Sequence, residues 1–469
     1  MGVLPNDIPQ SEAREAATEI VRTLRAQGHI AYFAGGCVRD ELLGLVPTDY
    51  DVATDAVPER IASLFPRTAE VGASFGVMLV KIGRTIVEVA TFRADGAYTD
   101  NRRPDSIRFS DPVEDAHRRD FTVNALFLDP LVAPSATEIT TSTLVGIIDH
   151  VNGVADILAR VLRAVGDPEA RLAEDHLRAL RAARLAAKLR FMIEQGTADA
   201  IRKHASDLRG VSRERIGEEV RRMLSHPTRA TAAQLLRELA LEAPVLDRAA
   251  SDQPRANSID ERQAFPRLAN LHERDGLAMY PMCLAAWMLD IGEVPAAFDA
   301  SDKYDASDKA GALPNLLTRL RKALTLSNDD RDGVRDVLTI HAALMTSGGA
   351  SGKASSESSS ESEWALMGVA KQKRCAARRY FVEALEVLRA SPIAAHADAA
   401  VKVDAEVAAL ARTHGGIAPK PLLDGDALIE AGLAPGPRFK YVLDRVYDAQ
   451  LEGAIKDAEA AFELARMLY

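Results

Sequence analysis

The chain is expected to fold as an α+β protein, a small mixed sheet followed by an all-helical remainder, and three observations carry that expectation. The β-rich runs HIAYFAG, YDVATDA, GVMLVKIG, TIVEVATF and FTVNALFLD recur up to about residue 150, punctuated by Gly, Pro and Asp. Beyond Asp149 the strand signals nearly vanish, and Ala, Leu, Arg and Glu dominate in helical patterns such as LAEDHLRALRAARLAAKL. At 469 residues the chain is also too long for one core, since domains average about 150 residues.

In chain order, Ser11 to Gln27 reads as an amphipathic helix with Ala13, Ala16, Ala17, Ile20, Val21 and Leu24 on one face, capped by Ser11 and stopped by Gly28. The short strands follow, and then the long helices. The stretch SGGASGKASSESSSESE, residues 347–363, is too poor in apolar groups to order itself and is expected to form a disordered loop inside the helical half.

Composition excludes several classes. With 47% hydrophobic and 27% charged residues, and no apolar run near the ~20 residues of a membrane span, a membrane protein is not expected. The first twenty residues lack a basic segment followed by an apolar core, so a cytoplasmic location is expected. Cys37, Cys283 and Cys375 form no CxxC pair, which argues against zinc and against a disulfide framework. The net charge of −10 argues against a globally basic nucleic-acid surface. A local one is expected between Arg160 and Arg222, where Arg163, Arg171, Arg178, Arg181, Arg184, Lys188, Arg190 and others outnumber the acids.

The first chemistry-bearing motif lies directly after AYFAG. Gly35 and Gly36 at a strand-to-helix turn would let backbone N–H groups approach a phosphate, with Arg39 placed to clamp a triphosphate. Asp49 and Asp51 flank Tyr50, and side-chain alternation along a strand turns both carboxylates to one side. Two such carboxylates suit a hard cation such as Mg2+, which takes oxygen ligands and is completed by substrate phosphates. Glu88 stands mid-strand among apolar neighbours, where a buried lone carboxylate would be costly unless it shared the metals. Each feature alone has an ordinary explanation: a turn, a solvated loop, an exposed edge residue.

In this order, the motifs resemble the head of the polymerase-beta nucleotidyltransferase superfamily, and later motifs narrow the resemblance. His117-Arg118-Arg119-Asp120-Phe121-Thr122-Val123-Asn124-Ala125 is similar to the RRDFTxNA motif of class II CCA-adding enzymes and bacterial poly(A) polymerases. The resemblance implies that the Arg and Asp of that motif, Arg118, Arg119 and Asp120, contact the ribose. Asp149–Asp156 and Arg163–Pro168 resemble the family's hinge. Glu174-Asp175-His176-Leu177-Arg178, with Arg181 and Arg184, resembles its nucleotide-selecting helix EDxxRxxRxxR. On a helix Asp175 and Arg178 would lie one turn apart, offering an acceptor and a donor fork that fit cytosine and adenine but not uracil and guanine; an ordinary i, i+3 salt bridge is the plain alternative. Ser212–Ile216 with Glu218, Glu219 and Leu224 resembles the motif that braces that helix.

The resemblance divides the chain into a catalytic head (1–150), a neck carrying the selecting helices (151–228), a divergent body (229–410) and a tail that contacts tRNA (411–469), where Gly436-Pro437 with Arg438 and Lys440 would meet RNA phosphates. It implies addition of CMP and AMP, from CTP and ATP, to the tRNA 3′ end by a two-metal mechanism. Addition of the terminal A alone, poly(A) tailing and a non-catalytic RNA-binding role remain open. The segment Asp95–Pro104 resembles the flexible loop retained by CCA- and A-adding members, and Val71–Val77 is closer to tRNA-acting relatives than to poly(A) polymerases.

Overall fold

The computed structural model describes residues 12–71, 76–96, 106–132, 145–248, 265–272, 279–294, 311–345, 363–430, 436 and 438–469. The Ser11 cap, most of the Val71–Val77 and Asp95–Pro104 segments, residues 347–362 and Pro437 lie outside them. Glu363, which the sequence places in the loop, begins a short helix.

The first helix, α1 (Glu12–Ala26), buries Ala16, Ala17, Ile20, Val21 and Leu24, a stripe at helical spacing. It ends as expected at Gly28, whose φ of 84° no residue with a Cβ adopts without strain. There follow β1 (Ala31–Ala34), α2 (Gly36–Leu42), β2 (Asp51–Thr54), α3 (Pro58–Leu64), β3 (Thr68–Glu70), β4 (Val77–Ile82) and β5 (Thr85–Thr91). A side hairpin of β6 (Arg93–Asp95) and β7 (Ile107–Phe109) leads to α4 (Pro112–His117), β8 (Leu126–Leu128) and β9 (Ile147–Asp149).

Seven strands form one mixed sheet in the order β3-β4-β5-β2-β1-β8-β9. All neighbours are antiparallel except β2 and β5, which run parallel. On β5, Val87, Val89 and Thr91 point inward while Ile86 and Glu88 are exposed, so the strand has one covered face and one open face. A core cluster of Ala34, Ala53, Phe92, Ala116, Ala125, Phe127 and Val165 packs Phe92 edge-on against Phe127 with ring centroids 5.7 Å apart.

Next come α5 (Gly153–Ala159), the two-residue strand β10 (Val161–Leu162), α6 (Pro168–Glu174), α7 (Arg178–Leu189), β11 (Met192–Ile193), α8 (Gln195–Lys203), α9 (Arg213–Leu224) and α10 (Arg229–Glu238). The parallel pair β10 and β11 is the only strand pairing described after Asp149. The chain separates into two compact units. One comprises residues 1–219 and 235–245, and the other residues 220–234 and 246–469. The second unit is helical throughout its described residues. Its helix Met279–Asp290 buries Met282 to Met288 without a break, as a helix surrounded by others must. At its C-terminal end Leu423, Leu428, Val442, Val446, Ala461 and Ala465 form a small core of their own.

The close approach of α5 to the Thr122–Asn124 turn depends on Gly153. A Cβ there would lie 2.2 Å from the Thr122 carbonyl oxygen, whereas one at Gly210 would meet nothing within 4 Å. Gly153→Ala is therefore expected to destabilise the protein by about 1–3 kcal/mol. Gly210→Ala should stay within about 0.5 kcal/mol of the parent. Denaturant unfolding followed by circular dichroism checks both.

Candidate active site

Tyr50 turns into the core, where its hydroxyl donates to Glu41 Oε1 at 2.7 Å, and this fixes the flanking Asp49 and Asp51 on the other, exposed side. In the parallel pairing of β2 and β5, Asp51 is the register partner of Glu88. Residues opposite each other on neighbouring strands share a face, so Asp49, Asp51 and Glu88 gather their charges on the open side of the sheet. One expectation is corrected here: Glu88 is exposed, not buried. It needs no metal to offset a burial cost, and its placement beside Asp51 is what ties it to the site.

Asp51, the first residue of β2, is exposed in area, yet surrounding protein atoms partly desolvate its carboxyl. That partial desolvation, followed by the charges of Glu88 and Asp49, pushes its carboxyl up to about 6, against the pull of Arg119. A divalent cation held by these hard oxygen donors would relieve the repulsion, so the residues fit one. Among the described residues no group of three His, Cys, Asp or Glu side chains is placed to hold a metal ion, so Asp49, Asp51 and Glu88 do not form a metal cage by themselves.

The glycine turn has a different local cause from the one expected. Gly35 has φ 77°, and a Cβ on it would come within 2.9 Å of Arg119 Nη1. The absent side chain makes room for that guanidinium. Arg39 is buried and committed: Nε donates to Asp40 Oδ1 at 2.8 Å and Nη1 to Asn124 Oδ1. It is a brace behind the turn, not a side chain held out towards a triphosphate.

Arg118 and Arg119 share one buried counter-ion that sequence reasoning missed. Asp115 Oδ1 accepts from Arg118 at 2.7 and 2.9 Å, while Oδ2 accepts from Arg119 at 3.0 and 3.1 Å. The i, i+3 and i, i+4 spacing from Asp115 was the available signal. Asp120 is buried, and its carboxylate is engaged by groups of the protein itself. Its Oδ2 accepts from Arg181 Nε at 2.8 Å and Nη2 at 2.6 Å, and its Oδ1 from the Phe121 and Asn124 amides. Burial alone would raise its pKa, but Arg181 and these bonds prevail and hold it at about 2.

The selecting segment is not one helix. Asp175 is extended, with φ −152°, between α6 and α7, so it and Arg178 do not sit one turn apart on a common helix. Neither are they paired to each other. Asp175 Oδ1 accepts the Leu177 N–H at 3.1 Å and Oδ2 accepts Arg215 Nη2 at 2.6 Å, while Arg178 Nη1 donates to Glu174 and to the Arg171 carbonyl. Arg184 is paired with buried Glu219 at 2.6 Å. The bracing expected of the 212–224 motif is thus carried by Arg215 and Glu219. Arg171, noted only for its charge, donates to the carbonyls of His117, Arg118 and Val165 and to Glu174, joining the RRD turn to α6.

Because Asp51 titrates higher in the folded chain than its ordinary 3.8, its ionisation opposes folding. The stability that its neutral form contributes is complete below about pH 4 and lost as pH rises through about 6. Asp51→Asn is expected to flatten this part of the melting-temperature profile in chelator, to raise the melting temperature at pH 7, and to abolish the rise that millimolar Mg2+ gives the parent. Thermal melts from pH 4 to 8, with and without Mg2+, measure all three. A Mg2+ response retained in the variant would remove Asp51 from the metal site.

Residues 31–163 match the poly(A) polymerase head domain, and residues 190–251 match the probable RNA- and SrmB-binding site of polymerase A. A CCA-adding enzyme of Geobacillus kaustophilus is 36% identical over 300 residues, covering 64% of this chain and 69% of that protein. Another from Geobacillus thermodenitrificans is 41% identical over 228 residues, 48% of this chain and 53% of that one, so the matched region spans from about half to just over two thirds of these relatives. Among solved structures, the Bacillus stearothermophilus CCA-adding enzyme in complex with CTP superimposes with a TM-score of 0.70 at 26% identity, covering 97% of this chain and 98% of that one. The Thermotoga maritima CCA-adding enzyme complexed with tRNA shares the fold, with a TM-score of 0.60 at 16% identity. No described helix is long and apolar enough to cross a membrane. With the carboxylates set on adjoining strands and the match to G. kaustophilus spanning more than two thirds of that protein, this chain belongs to the CCA-adding enzyme and poly(A) polymerase family of nucleotidyltransferases, which generally use divalent metal ions.

Proposed function

We propose that the protein adds CMP and AMP, from CTP and ATP, to the 3′ end of tRNA without a template, in the cytoplasm and with Mg2+. The observation that carries this reading is the register of Asp51 with Glu88 beside Asp49 on the open face of the sheet. Asp49 and Asp51 would hold the metal, with Glu88 adding to the field. The bound ions would activate the attacking hydroxyl and stabilise the departing pyrophosphate.

The chain's own residues supply placement. Asp115 holds Arg118 and Arg119 together, Arg119 lies against Gly35, and the pair would meet a nucleotide's sugar and phosphates. Asp175 would accept the exocyclic amino proton of cytosine or adenine, since a carboxylate bonded to Leu177 and Arg215 still has lone pairs to offer. Arg178 would donate to the neighbouring ring nitrogen. Uracil and guanine present a carbonyl oxygen where the amino group should be, leaving buried polar groups unpaired. In this arrangement Arg215 aims Asp175.

The test offers purified protein Mg2+ and labelled CTP or ATP with three primers: tRNA ending before CCA, tRNA ending in CC, and oligo(A). Two C residues followed by one A on the first primer are expected. Extension of the CC-ended tRNA alone would make the protein an A-adding enzyme, and long tails on oligo(A) without use of CTP would make it a poly(A) polymerase. Asp51→Ala should abolish incorporation. Asp175→Ala and Arg215→Gln should each lower the preference for CTP and ATP over UTP and GTP by roughly 10- to 100-fold. Unchanged selectivity in both variants would leave Asp175 a purely structural residue.

A further inference from the structure

The basic stretch of the neck is mostly neutralised from within. Arg163 pairs with Asp156, Arg178 with Glu174, Arg181 with Asp120, Arg184 with Glu219, Lys203 with Glu169 and Arg215 with Asp175. Arg160, Lys188 and Arg190 are different. All three are exposed, and among the described residues none has an ion pair or a side-chain hydrogen bond.

The fold brings them together. Arg160 immediately precedes β10, its carbonyl accepts the Met192 N–H at 3.0 Å, and Val161 pairs in register with Met192 on β11. Lys188 is exposed on the last turn of α7, Arg190 is exposed at its cap and Met192 is exposed on β11, while Leu189 and Phe191 between them are buried, so the three follow one another along the exposed end of α7 where it runs into β11. Beside the three cations stand Leu158 and Met192, 77% and 73% exposed. Arg160 and Arg190 also share an unusual backbone. They cap α5 and α7 in the left-handed region, with φ 54° and 56°, where glycine is the unstrained residue. Two strained caps that keep a long cationic side chain at one edge mark a place where that side chain is used.

We propose that Arg160, Lys188 and Arg190, with Leu158 and Met192, form a docking surface for the sugar–phosphate backbone of the RNA substrate. The inference rests on the RNA-modifying reading above. The cations would neutralise successive phosphates, and the two apolar side chains would lie against ribose. Charge complementarity selects the occupant: in a chain of net charge −10, cations left without acidic partners suit a polyanion.

The strained caps supply the test. Arg160→Gly combined with Arg190→Gly removes both charges while relieving the backbone, so the melting temperature should hold or rise. The dissociation constant for tRNA should rise about tenfold, and the slope of log affinity against log salt should become shallower by about two, or about three with Lys188→Gln added. Fluorescence anisotropy over a salt series on the full-length protein reads both quantities. If tRNA affinity and salt slope equal the parent's while the melting temperature holds, the surface does not bind RNA and the proposal is overturned. If the parent itself neither binds tRNA nor extends it, the functional reading fails and not the surface alone.

Discussion

The first unit is organised around one carboxylate that keeps its charge in the interior because an arginine and two amide donors meet it. Asp120 is buried, and Arg181 closes on it with two bonds. Its other oxygen fixes Asn124, whose side-chain oxygen receives Arg39 and whose carbonyl receives Arg119, the guanidinium that lies against Gly35. One ion pair thus aligns α7, the RRD turn and the glycine turn as a connected polar network. Displacing Arg181 would leave a buried anion unpaired and loosen every member of that chain.

Two aspartates in this unit show how surroundings divide one chemistry into two roles. Asp51 has acidic neighbours and is pushed up to about 6; Asp120 has Arg181 and is held at about 2. The first is a charge in want of a cation, which suits a metal site. The second is satisfied internally and has become architecture. The family motif gives no hint of this division, because it records residue types and not which groups their side chains meet.

Much of the fold was legible in the sequence, and the parts that were not share a physical reason. The stripe on α1, the alternation about Tyr50 and the change from strands to helices after Asp149 follow from local periodicity, and the structure has all three. Long-range side-chain pairing is not periodic. The exposure of Glu88, the burial of Arg39, the Asp175 to Arg215 bond and the four bonds of Arg171 each depend on groups brought close by tertiary packing. The break between α6 and α7 was hidden for a related cause: Asp175 and Leu177 carry no Gly or Pro to announce it, and the interruption is held by the bonds it makes.

The internal pairing of Arg163, Arg178, Arg181, Arg184 and Arg215 has a kinetic consequence. Their charges cancel at short range, so beyond the ~8 Å over which physiological salt leaves fields intact the molecule presents little attraction to a polyanion, and its overall charge of −10 repels one. Encounters with bulk cellular RNA are then not accelerated at long range, because the paired arginines add no diffuse positive field. Selection among RNAs passes to residence time: a strand stays only when its shape lets close contacts form. Such a protein would not be sequestered by the excess of RNA around it, and it would release each finished product without first overcoming a long-range electrostatic hold.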